Sequence, residues 1–489
     1  MSISILKHEV KIRRKLAKDI RKKTITSNPK ITKKSNFVQY FSKALPHNKK
    51  GKVDSNEFKQ LIKCLTLSSD FNKIHLGGET KLGDPQCIRS IELFGLYPGS
   101  YFLPTSPEYS SFETGYEMVE LYGMALLRDV PFTEYSKAKC VKYLCKCLTK
   151  ASLSMVTPLT LFRGPTEGDL KGLYISQFFL LPYTYGIERR VQKYSFYLPD
   201  MDYMTDSKTV ISCQNGTPIE RLVSPSNTLR YMQTLRDGAS YCHKDFPSQP
   251  AMTCLNILLT LGIPRNKYNP YVNGKYKTSS AFVDFGIVDI CNMIERVTRL
   301  AMLSCWQYKW ANLRIRPEAF GIQIHQTLVD GKNPTSISEN ILSSEILRKI
   351  AYKYGSYYLP QAYPEGSPAH PSYPGGHAVL AGACITCVKA FFDCTGTIKE
   401  YVPSKDGQTL IETGKNVIIN DELDKYATNI AMFRSAAGIH FRSDNIEGLL
   451  LGERIAIELL KEHVLRYPKD VKAGFILRKR NGKWIKILN

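Results

Sequence analysis

Ser367 to Phe392 reads SPAHPSYPGGHAVLAGACITCVKAFF, and it changes character halfway. Pro368, Pro371 and Pro374 exclude a helix in the first half, because proline lacks the N–H a helix needs and restricts the residue before it. From Ala378 to Val388 no charge interrupts the run, which predicts an apolar helix right after Gly376-His377. Gly375 and Gly376 can bring backbone N–H groups close to a ligand at that helix start, where the dipole favours an anion. His377 sits at the same terminus, with His370 seven residues earlier. Cys384 and Cys387 have CxxC spacing, but no second pair completes a four-sulfur zinc site, so they read as small helix-core residues.

Outward from this stretch, apolar residues recur at helical spacing in Ser111–Leu127, Val141–Leu159, Met252–Leu261 and Phe282–Leu303. Asp444 is placed to cap a further helix through NIEGLLLGERIAIELLKEHVL. Leu198 to Asn227, rich in Pro, Asp, Ser and Thr, reads as a surface excursion. Near the end, FILRKRNGKWIKIL sets Asn481-Gly482 between alternating runs, predicting a β-hairpin with a type I′ turn. The fold class is therefore mainly α, with minor β including this C-terminal hairpin. One domain is expected over 56–489, its catalytic half at about 280–470.

Charge sets the first 55 residues apart. The chain carries +23, and residues 1–53 hold sixteen Lys and Arg against Glu9 and Asp19, a net of +14. Such a segment reads as a disordered basic arm, with a short helix at Ile5–Lys23. It has either no dedicated partner or nonspecific contact with nucleic acid or an anionic surface through residues 1–53. Nothing reaches the roughly 18–20 apolar residues of a membrane span, and MSISILKHEV has no apolar signal core, so a cytoplasmic location is the default. Thirteen cysteines, mostly single, do not form a disulfide scaffold.

Two further stretches belong with the first. In KWANLRIRP, Lys309 and Arg316 are seven residues apart, which puts both on one helical face, with Arg314 turned toward solvent or an acid. Pro317 predicts that the helix ends at Arg316. Lysine offers a point charge and arginine a planar fork for two oxygens. In RSAAGIHFRSD, Arg434 and His440 flank small residues consistent with a loop folding back. His440 is a candidate nucleophile or metal ligand, and Asp444 a helix cap or ring-orienting partner, the cap being preferred. Together the three stretches predict a cage for a tetrahedral oxyanion, either phosphate as reactant or vanadate as cofactor.

The set resembles the vanadium-dependent haloperoxidase pattern, shared with type 2 phosphatidic acid phosphatases: Lys309…Arg316-Pro317, Pro374-Gly375-Gly376-His377 and Arg434…His440…Asp444. EMVELYGMALLRDVPF, RIRPEAFG, YPEGSPAHPSYPGGHA and AGIHFRSDNIEGLLLGE are similar to the algal and cyanobacterial bromoperoxidase branch, over roughly residues 85–489. The resemblance implies a helical-bundle fold, vanadate as cofactor, and oxidation of bromide or iodide by hydrogen peroxide to hypohalous acid that halogenates a small organic acceptor. It implies a homo-oligomer. By the same carry-over, His440 ligates vanadium; Lys309, Arg316, Arg434 and the Gly375-Gly376 segment hold the vanadate oxygens; His377 is the acid/base, with Asp245 as its orienting partner; Lys309 polarises bound peroxide; and His370 tilts the site toward bromide.

Two positions depart from the pattern. Gly375 stands where the family has serine, removing a hydroxyl bond of about 1 kcal/mol, and Phe433 replaces the serine before Arg434. Two alternatives stay open: a soluble acid phosphatase working through a phosphohistidine at His440, and a degenerate, non-catalytic basic protein that binds nucleic acid or serves a structural role.

Overall fold

A computed structural model describes residues 7, 10, 11, 14 and 15, and 37–489 except 68–69, 153, 219–222, 273, 275 and 468–471. Its main helices are α1 (Phe112–Leu126), α2 (Leu235–Lys244), α3 (Gln249–Thr260), α4 (Ile287–Asn312), α5 (Pro317–Asp330), α6 (Gly376–Phe391), α7 (Ile419–Ala436) and α8 (Arg442–Val464). Among the described residues the β structure is three two-stranded antiparallel hairpins: β1 (Tyr183–Tyr185) with β2 (Glu188–Arg190), β3 (Thr397–Pro403) with β4 (Leu410–Ile418), and β5 (Gly474–Arg478) with β6 (Trp484–Leu488). The mainly helical expectation is met, as is the C-terminal hairpin.

Helix α6 is the axis of the bundle. Its residues are buried on every side except at His377, as an uncharged run without a polar face requires. It packs against α8, α4, α7 and α3. The α6–α8 crossing is close because small residues meet there. A Cβ on Gly452 would lie 2.2 Å from the Val379 carbonyl, and one on Gly382 equally close to that of Leu449. Cys384 and Cys387 are buried free thiols within α6, as read from the sequence. Helix α7 is also wholly buried, and its charges other than Arg434 are paired: Lys389 to Asp424, Lys425 to Glu422 and Arg478 to Asp421.

Several local expectations are corrected. Helix α4 ends at Asn312, not Arg316. Leu313 takes a left-handed conformation (φ 53°), and Arg316 becomes the cap before Pro317 of α5. Lys309 and Arg316 therefore do not share one helical face. In the β5–β6 turn only Gly482 has positive φ (81°). The Gly482 N–H donates to the Lys479 carbonyl and the Lys479 N–H to that of Lys483, which is a type I turn with a glycine bulge rather than type I′.

The helix expected over Val141–Leu159 spans Lys139–Ala151, and the chain is extended at Ser152. Leu198–Asn227 is not wholly superficial. It contains a helix at Ser207–Asn215, whose Val210 and Cys213 bury against Ile322 and Tyr358. Residues 37–55, assigned to the arm on charge, are packed: Phe41, Leu45 and Val53 share a buried cluster with Trp310 and Leu313. Their apolar spacing outweighs their lysines. The expected Ile5–Lys23 helix lies largely outside the described residues; residues 7, 10, 11, 14 and 15 are helical and exposed. No helix among the described residues is long and apolar enough to cross a membrane.

Candidate functional site

Three chain reversals bring the predicted residues together. The break at Leu313 turns Arg316 back toward Lys309, the proline-rich loop 367–375 crosses above them, and the α7–α8 turn delivers His440. Lys309 is completely buried, and its Nζ donates to the carbonyls of Pro371 (2.9 Å) and Ser372 (2.8 Å). Arg316 donates through Nε to the His370 carbonyl, through Nη1 to the Ile439 carbonyl (2.8 Å), and lies 3.1 Å from His440 Nε2. Its Nη2 is 3.0 Å from His370 Nδ1. Arg434 donates to the Cys242 carbonyl (2.7 Å) and the Tyr363 hydroxyl, while its Nε is buried without a partner.

His440 is held by Asp444. Oδ2 of Asp444 accepts from His440 Nδ1 (3.0 Å), from the Phe441 N–H and from the Ser372 hydroxyl, while Oδ1 accepts from Arg314 (2.7 Å). Asp444 thus orients the ring; the cap position expected for it is taken by Phe441, and Asp444, three residues into α8, accepts from the Phe441 N–H. With the proton on Nδ1, the Nε2 lone pair faces the cage. Arg314, expected to meet solvent or an acid, is buried between Asp444 and Glu117. His377 Nε2 lies 3.0 Å from Asp245 Oδ1.

His370, His377, Gly376, Arg434 and His440 line one cavity of about 190 Å³, walled by apolar side chains including Met302, Trp306, Leu380 and Ile385. Trp306, one turn before Lys309, packs on the His370 ring at 4.7 Å.

Electrostatics mark the cage as built for an anion. Burial, with the Arg316 charge adding to it, lowers the Lys309 amine to about 7. Burial lowers the Arg316 guanidinium to about 10. Burial and the Arg316 charge also drive His370 and His440 well below the usual histidine range. The neighbouring carboxylate, Asp444, is committed to Arg314.

Two site expectations change. The Gly375 N–H donates to the Asp444 carbonyl (2.8 Å) and is not free for a ligand; the N–H groups of Gly376 and His377 have no acceptor among the described residues. A Cβ on Gly375 would meet Asn445 Oδ1 at 2.9 Å, so that asparagine occupies the room a serine would need. Phe433 does not make the cage apolar: it packs against Phe179 and Gly238. Sequence reasoning missed Ser372, Glu117, Asn445 and Ser435, whose hydroxyl donates to the His440 carbonyl (2.7 Å) and accepts from Asn445 Nδ2. These are common polar residues inside the motifs or far from them, and only their contacts distinguish them.

The donor set fits a tetrahedral oxyanion such as vanadate: three buried cations, the unpartnered Arg434 Nε, free amides at the start of α6, and one histidine lone pair. Among the described residues no group of three or more His, Cys, Asp or Glu is arranged to hold a bare metal ion. Fold and site together define a helical-bundle protein whose buried cations and His440 form a cage of the kind that suits an oxyanion.

Residues 293–469 match the family model described as the VCPO second helical-bundle domain. The chain is 31% identical over 487 aligned residues to a vanadium-dependent bromoperoxidase of Ascophyllum nodosum, covering 91% of this chain and 86% of that one. It is 29% identical to the corresponding protein of Corallina pilulifera, covering 92% and 91%. A solved structure, the homohexameric second vanadate-dependent bromoperoxidase of A. nodosum, superposes with a TM-score of 0.89 at 24% identity, over 98% of this chain and 90% of that one. The chain belongs to the vanadium-dependent haloperoxidase family.

Proposed function

We propose that the chain is a vanadate-dependent bromoperoxidase, oxidising bromide or iodide with hydrogen peroxide to hypohalous acid that halogenates small organic acceptors. The observation that carries this reading is the set of buried cations Lys309, Arg316 and Arg434 beside His440, with Arg316 3.1 Å from His440 Nε2 and with Arg434 and His440 lining an apolar-walled cavity. Bound vanadate supplies a Lewis acid that activates peroxide toward halide without changing its own oxidation state. His440 Nε2 would be the ligand to vanadium, and Lys309, Arg316, Arg434 and the Gly376 N–H would hold the oxygens.

The protein's own residues do the rest. Lys309, anchored on the Pro371 and Ser372 carbonyls, has its third N–H left to polarise an oxygen in the cage. His377, steadied by Asp245, takes and returns the protons of incoming peroxide at its ring. His370, half-buried against Trp306 and bonded to Arg316, fixes that guanidinium and shapes the halide approach. The apolar walls limit water around the reacting atoms.

The relatives' names and the fit of the cage favour the peroxidase over a phosphatase or a non-catalytic reading. Vanadate-reconstituted protein is expected to brominate phenol red, His440→Ala to lose that activity, and phosphate esters to remain intact. An unchanged rate in His440→Ala, or ester hydrolysis outpacing bromination, refutes the proposal. We also propose a homo-oligomer, checked by chromatography with light scattering; a monomer at assay concentration counts against it.

A further inference from the structure

Lys43 lies away from the cage, in the packed segment before the helix at Ser55–Leu67. Its Nζ donates to Glu318 Oε1 (2.8 Å) and the Glu365 carbonyl (2.7 Å), and lies 2.9 Å from Cys213 Sγ. Cys213 Sγ is in turn 3.1 Å from the Glu365 carbonyl and 4.0 Å from Glu318 Oε1. Lys43, Cys213 and Glu318 are all buried. Of the thirteen cysteines, all free, Cys213 alone has a lysine amine within hydrogen-bond distance among the described residues.

We propose that Lys43 and Cys213 form a covalent cross-link under hydrogen peroxide, with a single oxygen bridging Nζ and Sγ. The present separation is one that a bridging oxygen spans with little movement. A direct N–S bond would need the two atoms to close much further inside a packed site. Glu318, touching the amine and near the sulfur, is the base that takes the ammonium proton of Lys43 and so frees its nitrogen lone pair, while the thiol proton leaves with the water released from peroxide.

The chemistry balances with peroxide as the only oxidant. One peroxide converts the thiol to a sulfenic acid: the S–H and O–O bonds break, an S–O bond forms and water leaves. A second converts the amine to a hydroxylamine in the same manner, again releasing water. Condensation of S–OH with N–OH expels a third water and leaves one oxygen between the two atoms. Sulfur and nitrogen are both oxidised, and two peroxides are reduced.

The bridge ties the N-terminal segment to the helix at Ser207–Asn215. It also replaces the Lys43 cation by a neutral nitrogen, leaving Glu318 without that partner two residues from Arg316.

The test treats the full chain with hydrogen peroxide, without vanadate or bromide, so its outcome is independent of haloperoxidase activity. Proteolysis and mass spectrometry are expected to find the Lys43 and Cys213 peptides joined, at their summed mass plus one oxygen less two hydrogens. Dithiothreitol should separate them, and Lys43→Arg and Cys213→Ser should lack the species. The wild-type measurement needs no variant to fold. Recovery of Cys213 unlinked, whether as thiol or sulfinic acid, overturns the proposal, and so does a join that has lost two hydrogens without gaining oxygen.

Discussion

Arg314→Met tests whether the cage is held from behind. Arg314 donates to Asp444 Oδ1 (2.7 Å), Glu117 Oε2 (2.9 Å) and the Ser443 hydroxyl (2.7 Å), and both carboxylates are buried. Methionine fills most of the volume but leaves two buried acids without their cation. Breaking a buried pair in this way costs about 3–5 kcal/mol. Asp444 keeps His440, Ser372 and the Phe441 N–H, so the larger share falls on Glu117, whose other described partner is Ser443.

Adding Glu117→Gln removes that stranded charge and should recover about 1–3 kcal/mol, the usual size of coupling between contacting residues. The pH dependence has a definite sign. Burial already raises the Glu117 carboxyl, and losing Arg314 raises it further. The folded variant then binds a proton that the unfolded chain releases, so its stability grows as pH falls through the folded pKa. The gain is complete below the unfolded value near about 4.3. Denaturant unfolding of wild type, single and double variants between about pH 7 and 5 measures this. A loss under about 1 kcal/mol in Arg314→Met at neutral pH, or no recovery in the double variant, refutes the reasoning.

Vanadate, or phosphate in its place, should stabilise the protein by about 2.7 kcal/mol at a hundredfold excess over Kd, and Lys309→Met should lose most of the resulting rise in Tm. Without an anion, the Lys309 amine near 7 lies below its unfolded value, so wild-type stability should climb relative to Lys309→Met as pH rises from about 7 to 10. Parallel pH–stability curves would remove that account. Asp245→Asn should lower bromination by about 10–100-fold with vanadate affinity little changed, measured by initial rates on vanadate-saturated enzyme. Gly452→Val should cost about 1–3 kcal/mol or more, because its Cβ would press on the Val379 carbonyl at 2.2 Å; a neutral change in thermal denaturation would contradict the tight α6–α8 crossing.

Helices α1, α6 and α8 were readable because periodicity and caps are local. Ser111 caps α1 by accepting from the Thr114 N–H, whereas α8 starts at Arg442, before the Asp444 expected to cap it, and Asp444 accepts from the Phe441 N–H from inside the first turn. The end of α4 was misread because Pro317 marks a boundary without saying how far back the chain unwinds. The left-handed Leu313 is settled by burial against Trp310 and Phe41. Residues 37–55 were misassigned because their lysines dominate composition, whereas Lys43 is buried in an ion pair that charge counting cannot see.

The sequence by itself determined the charged and imidazole groups of the candidate site: Lys309, Arg316, Arg434, His370, His377 and His440, with the loop-to-helix switch near Gly376. These are chemical identities at fixed spacing, and no fold is needed to count them. Only the tertiary structure decided which groups are free to act. It committed the Gly375 amide to Asp444, left Gly376 open, turned Phe433 away, and fixed the His440 ring through Asp444, Arg314 and Glu117. Hydrogen-bond saturation and burial depend on neighbours from α1, α4, α6 and α8 that are far apart in the chain, 72 residues for Ser372 and Asp444 and 197 for Glu117 and Arg314, and packing alone brings those neighbours into contact.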